Sequence, residues 1–411
     1  MRLPFVITCC LIGTPISLAD APFIDQADDA DYFGPPEDVL FWTAEQKVAG
    51  FRNADRLFST RTVMANGDPQ QLPEAIVNLD DVVVRVGDDN LTVDEYIKRK
   101  NVAGLLVIKD GTVAYERYAL GNTQDSPWVS FSVTKSVVSM LVGAAIQDNY
   151  IDSVDDMVTD YLPRMKGSSY DRASIRDLLQ MASGVAWEED YADPESDVAS
   201  VNWETLPLLE LLASQPRSAE PGEVFNYNTA ETNLAGIVLR SAIGNNLSTY
   251  LSEKIWKPFG MEADATWNLT EPGGGEFGGC CINATLRDYG RLGMFALANG
   301  RLPDGTEVLP DDWMRDSTTP STGNPGYGYF WWLGDEQAFG ASGIFGQGIR
   351  IDRASNVVIA VHSARDEASN PEDWAWQIAL YQALTEAVSD QHVLTPATAV
   401  PPKPAAHLEL Y

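Results

Sequence analysis

Phe131-Ser132-Val133-Thr134-Lys135-Ser136 is the stretch on which the reading of this chain turns. It leads into Val133 to Ile146, apolar on nearly every side, which marks a helix buried in the middle of the protein. One narrow stripe of that helix is polar: Ser132, Lys135, Ser136 and Ser139 follow helical spacing and share a face. A charged lysine there is unfavourable unless it finds partners or loses its proton. A hydroxyl and an amine three residues apart are close enough for the amine to take the hydroxyl's proton. Ser132 is thus a candidate nucleophile and Lys135 its candidate base. The tetrad alone is also compatible with a plain N-cap serine followed by a solvent-reaching lysine.

Upstream of this helix, Leu105 to Ile108 and Val113 to Tyr115 flank Asp110-Gly111, a pair suited to a tight primed turn, so a hairpin is expected. Downstream, Ser174 with Asp177, Leu206 to Leu212 and Leu234 to Ile243 before Gly244 read as helices. Leu286 to Leu297 reads as a further helix. Strand character returns at Phe330-Trp331-Trp332, Ile349-Arg350-Ile351 and Val357 to Val361, and Trp374 to Val388 reads as a closing helix. Strands before and after a helical middle predict an α+β fold. One antiparallel sheet is built from both chain ends, with a site in the cleft beside the inserted helical region. The expected division is a sheet domain of residues 20–151 plus 271–392 and a helical insertion of 152–270. Residues 20–90 would cover the sheet or rim the cleft, with Phe41-Trp42 and Phe51 as anchors, and 393–411 would form an extended tail.

The chain has 411 residues, 28 Lys+Arg against 59 Asp+Glu, and a formal charge of -31. That excess repels phosphate backbones and anionic lipid heads, so nucleic-acid and membrane-surface roles are disfavoured. Arg2, the apolar Leu3 to Ile16 and Ser17-Leu18-Ala19 read as an export signal over residues 1–19, cleaved near Ala19, placing the mature chain in the periplasm or outside the cell. No stretch reaches membrane-spanning length. Cys9 and Cys10 leave with the signal; the adjacent Cys280 and Cys281 read as two small buried thiols, with a vicinal disulfide as the alternative. No metal-spaced His/Cys cluster is present, and neither a metal nor an organic cofactor is implied. The three histidines are His362, His392 and His407, and no Gly-x-Ser-x-Gly elbow occurs, so a Ser-His-Asp triad would have to use His362.

The nucleophile hexapeptide closely resembles that of the β-lactamase and penicillin-binding superfamily. The likeness continues through Tyr161-Leu162-Pro163, Ile175 to Gly184, Pro221-Gly222-Glu223-Val224-Phe225-Asn226-Tyr227-Asn228, Thr285 to Gly293 and Gly326 to Trp332. Within the superfamily it is nearest the branch that holds 6-aminohexanoate-dimer hydrolases and carboxylesterases. The resemblance implies a β-lactamase-like fold. It places Tyr227 against Lys135, as a tyrosinate proton shuttle, and makes an oxyanion hole of the Ser132 and Ile344 backbone N–H groups.

The third motif departs from the family pattern. Ala341-Ser342-Gly343 stands where relatives carry Lys-Thr-Gly or His-x-Gly, and Thr229 stands where they often carry asparagine. The missing cation argues against penicillin recognition, since it helps hold a substrate carboxylate. Ser342 and Gly343 remain candidate substrate contacts, with glycine leaving room for a ligand. Of the aromatic residues near the motifs (Trp187, Tyr191, Trp203, Tyr327, Tyr329, Trp331 and Trp332), Trp187, Tyr327 and Trp331 are the foremost candidates for lining a cleft. The expectation is a serine hydrolase of small esters or amides that works through an acyl-enzyme. A penicillin-recognising peptidase or β-lactamase and a catalytically silent binding protein are the rivals. The sequence is silent on oligomeric state.

Overall fold

The computed structural model describes residues 21–334 and 337–389, so the expected export signal and C-terminal tail lie outside the described residues. A six-stranded sheet runs in the order Thr112–Tyr118, Val102–Lys109, Val357–Ser363, Gly348–Asp352, Ala338–Ser342, Trp332–Leu333, and every neighbouring pair is antiparallel. The first two strands form the expected hairpin. Asp110 and Gly111 both take left-handed backbone angles, with φ of 50° and 75°, as a primed turn requires. The other four strands come from the C-terminal part of the chain. The fold is therefore α+β, with one sheet assembled from distant segments.

Side chains alternate between the two faces of the sheet. Leu106, Ile108 and Val358 pack with the Val133–Gln147 and Leu286–Leu297 helices, while Leu105, Val107 and Ile359 pack with Trp376, Leu380 and Leu384 of the Pro371–Ser389 helix. Covered on both faces, Val102–Ile108 is continuously buried, which explains its unbroken apolar run. The aromatic run at 330–332 departs from the expected strand. Phe330 sits at φ 59°, and only Trp332–Leu333 pairs with the sheet. A left-handed residue cannot continue a strand.

A second sheet, not foreseen in the sequence, joins Thr60–Val63, Ala265–Asn268, Ile282–Ala284 and Trp128–Val129 in that order. Its last strand feeds directly into Ser132. The N-terminal segment is packed against the rest of the protein, and Leu40, Trp42, Phe51 and Phe58 line the cleft. Thr43 and Gln46 form a capping box on the Ala44–Phe51 helix. Arg52 then makes a buried ion pair with Asp29 at 2.6 Å and donates to the carbonyls of Leu120 at 2.8 Å and Ile24 at 2.6 Å. No helix among the described residues is long and apolar enough to cross a membrane.

Candidate functional site

Phe131 adopts φ 44°, a left-handed angle for a bulky residue, and turns the chain sharply into the Val133–Gln147 helix with Ser132 at its N-cap. Lys135, one turn later and 1 % exposed, directs Nζ at three oxygens: Ser132 Oγ at 2.9 Å, Thr229 Oγ1 at 3.0 Å and the Gly279 carbonyl at 2.8 Å. Thr229 opens the Thr229–Ile243 helix, whose N-cap Asn228 accepts from the Glu231 N–H. Gly279 must be glycine, because a Cβ there would lie 2.7 Å from Thr229 Cγ2. That close approach brings both acceptors onto one amine.

The Thr229 hydroxyl is itself committed. It donates to Glu189, whose carboxylate also accepts from the Thr229 N–H at 3.0 Å, from Tyr191 OH at 2.5 Å and from the Trp187 indole. Thr229 Oγ1 can therefore only accept from Lys135, and the Gly279 carbonyl can only accept. Once Lys135 loses a proton, its two N–H groups serve these acceptors and its lone pair faces Ser132. Burial pushes the Lys135 amine down to about 7, opposed by the Glu189 carboxylate. The helix N-terminus adds a field that disfavours a cation and favours an anion beside Ser132.

Tyr227 stands beside this amine, with Lys135 Nζ 5.2 Å from its ring centroid, and it stacks on Trp332 at 5.8 Å. Burial raises the Tyr227 phenol above its ordinary range, with a Ser132 hydrogen bond opposing and Glu189 reinforcing the shift. That direction favours the O–H form of Tyr227, while burial brings the Lys135 amine down to about 7.

Other sequence candidates fall in distinct places. Ile344 borders the cleft above Ser132, and among the described residues neither its amide nor that of Ser132 donates to a protein acceptor. Gly343 is required by the protein itself, since a Cβ would meet the Ser130 carbonyl at 2.7 Å. That contact seats Ile344 beside Ser132. Ser342 ends its strand opposite Gly348, and Ala341 is buried opposite Ile349. Trp187 is buried and bound to Glu189, and Tyr327 packs edge-on against Tyr227 at 6.3 Å. Trp331 is buried against Phe339, so its neighbour Trp332 is the one that reaches the site. His362 is stacked with Trp128 and edge-on to Tyr289, with burial lowering it to about 3; it has no place beside Ser132. Cys280 and Cys281 lie side by side with their sulfurs facing each other, the arrangement that the vicinal-disulfide alternative requires, and both border the cleft.

Sequence reasoning missed Glu189. Its only signal was an acidic run, Glu188-Glu189-Asp190, set between two aromatic residues, Trp187 and Tyr191, already suspected of lining a site.

Comparison with known proteins agrees with this geometry. The chain is 27 % identical over 342 residues to 6-aminohexanoate-dimer hydrolase of Paenarthrobacter ureafaciens, covering 77 % of this chain and 85 % of that one. A solved Bacillus anthracis chain put forward as a 6-aminohexanoate-dimer hydrolase superposes with TM-score 0.74 at 23 % identity, over 84 % of this chain and 94 % of that one. A family VIII carboxylesterase superposes with TM-score 0.54 at 17 % identity, over 69 % and 93 %. These establish a β-lactamase-like fold. Residues 91–383, well over half of the chain, match the family model described as Beta-lactamase, and the protein belongs to that family of serine hydrolases.

Proposed function

We propose that the protein hydrolyses small esters or amides through an acyl-enzyme on Ser132. The observation that carries this is the buried Lys135 amine, 2.9 Å from Ser132 Oγ and brought down to about 7. Ser132 Oγ attacks the substrate carbonyl while its proton passes to Lys135. The carbonyl oxygen, now an anion, lies between the Ser132 and Ile344 N–H groups, each donor contributing about 3 kcal/mol. As the tetrahedral species collapses, Tyr227 gives its proton to the departing alkoxide or amine and is reprotonated by the Lys135 ammonium. Water then attacks the acyl-enzyme, its proton passing to Lys135 by the same route, and Ser132 is released.

Penicillin recognition is the weaker reading. Ala341 removes the cation expected for a substrate carboxylate, and Glu189 adds an anion near the reacting centre. Export to an oxidising compartment is part of the proposal, and there the paired Cys280 and Cys281 would be oxidised to a disulfide. The test is a fluorophosphonate probe with the label located by mass spectrometry. Labelling of Ser132 in the wild type and its loss in Ser132→Ala are expected, whereas an unlabelled wild type refutes the nucleophile.

A further inference from the structure

Above Ser132 lies a cleft of about 490 Å³, within the roughly 300–1,000 Å³ of ordinary ligand pockets. We propose that it is an acyl pocket whose outer wall is supplied by the N-terminal segment, so that the substrates carry an uncharged, extended apolar acyl chain. This rests on the hydrolase reading above and adds a substrate class to it.

Three observations carry the assignment. First, the walls are apolar: Leu40, Trp42, Phe51 and Phe58 form one side and Trp203 and Phe277 stand among the others. Among the described residues that line it there is no Lys, Arg or His, and Glu37 stands at the border. Asn202, Asn268 and Thr270 also line it, but a carboxylate or phosphate on the acyl group would be buried there without a cation to pair with. Second, the cleft is on the acyl side of the reacting carbon. It contains Ser132 and Ile344, which hold the carbonyl, but not Tyr227, which packs instead with Phe225, Tyr327 and Trp332. The leaving group must face Tyr227 to receive its proton, so the other substituent of the carbonyl enters the cleft.

Third, the outer wall is fixed and precedes the residues that match the family model. Matching begins at residue 91, whereas the wall is drawn from residues 36–58. Buried Arg52 ties it to Asp29, Ile24 and Leu120, and Lys47 ties it to the Asp366 carbonyl while lying 4.7 Å over the Phe345 ring, next to Ile344. A wall held through Lys47 and Arg52 is a shape filter rather than a closing lid.

The test uses the full-length protein with 4-nitrophenyl esters from acetate to decanoate, alongside acetates of alcohols of increasing length. kcat/KM should rise roughly fourfold per methylene (~0.8 kcal/mol) along the acyl series until the pocket is full, and much less along the alcohol series. In Leu40→Asp and in Phe58→Asp the octanoate-to-acetate ratio should fall at least tenfold; as a ratio within one preparation, it is insensitive to how much of the variant folds. Fluorophosphonate labelling of Ser132 is measured in parallel. A flat acyl series with Ser132 labelled overturns the pocket and leaves the hydrolase reading standing. A gradient that follows the alcohol, or ratios unchanged in both variants, also overturns it. Absence of both labelling and turnover removes the hydrolase reading and the pocket together.

Discussion

Glu189 reaches Lys135 through a single hydroxyl, and replacing it by glutamine asks how much of the amine's basicity comes from that carboxylate. Two consecutive hydrogen bonds, Lys135 Nζ to Thr229 Oγ1 and Thr229 Oγ1 to Glu189, set the charges roughly 5 Å apart. At an effective dielectric constant near 20 their attraction is about 3 kcal/mol, which corresponds to about two pH units. Relaxation and water reduce this, and a shift of one to two units is expected. The sign is fixed: Glu189 raises the Lys135 value that burial has lowered to about 7, so Glu189→Gln lowers it further. The free amine is the active form. The acid limb of activity should therefore move from near pH 7 to roughly pH 5–6.

The cleanest assay for this shift is the second-order rate of fluorophosphonate labelling against pH, because no leaving-group titration by nitrophenol intrudes. The plateau should also drop a few-fold, since a weaker base activates Ser132 less well. The position of the limb, not its height, is the diagnostic. Glu189→Asp keeps the charge and should hold the limb close to the wild-type position. If the limb of Glu189→Gln stays in place or moves upward, the electrostatic link between Glu189 and Lys135 is wrong.

Further outcomes follow from the same contacts. Tyr227→Phe should slow hydrolysis of alkyl esters by roughly 10²–10⁴-fold and that of 4-nitrophenyl esters far less, because nitrophenolate departs without a proton; equal losses would remove Tyr227 from proton delivery. Thr229→Val should cost activity about tenfold or more while Thr229→Ser restores it, the lost hydroxyl being the one that orients the Lys135 lone pair; full activity in the valine variant would contradict this. Arg52→Ala should destabilise the fold by about 3–5 kcal/mol, since Asp29 is left as a buried unpaired charge, seen as a lower urea midpoint.

Glu231, pushed up to about 8 by burial, keeps its proton in the folded chain where the unfolded one, with a value near 4.5, loses it. Its stability contribution is complete below about pH 4.5 and is lost as pH rises through 8. The urea midpoint of Glu231→Gln should therefore fall less between pH 5 and 8 than that of the wild type.

The parts of the fold legible in sequence are those whose pattern is local. The Val133–Gln147 helix announces itself by an apolar surface with one polar stripe, and the Val102–Tyr118 hairpin by Asp110-Gly111, whose left-handed angles few other pairs tolerate. The Ser132 and Lys135 contact needs only helical spacing. The second sheet could not be read, because its strands are two to four residues long and pair across much of the chain; alternation over so few residues carries no period. Glu189 was hidden for a different reason. In sequence it sits in an acidic loop indistinguishable from a solvated one, and only the packing of Thr229 against Gly279 makes its carboxylate part of the site. For Tyr227, proximity to an amine is visible in a motif, but the degree of burial that raises its phenol is not.

The two departures from the family pattern, Ala341 and Thr229, make sense together. A site for carboxylate-bearing substrates needs a cation near the third motif and no competing anion. Here the cation is absent at Ala341. Thr229, in the position where asparagine is common, uses its hydroxyl to couple a carboxylate to the base. The first removes a positive charge and the second tethers a negative one, Glu189, to the base, in a chain whose formal charge is already -31. An anionic substrate would meet repulsion in approach and find no cation to pair with in the cleft. A neutral ester or amide meets neither penalty, and the proposed oxyanion donors are backbone N–H groups that no side-chain substitution removes. Installing Ala341→Lys should consequently leave turnover of neutral esters little improved while lowering KM for acyl groups that carry a carboxylate; a variant that gains nothing with anionic acyl groups would show that Ala341 is not where their recognition was lost.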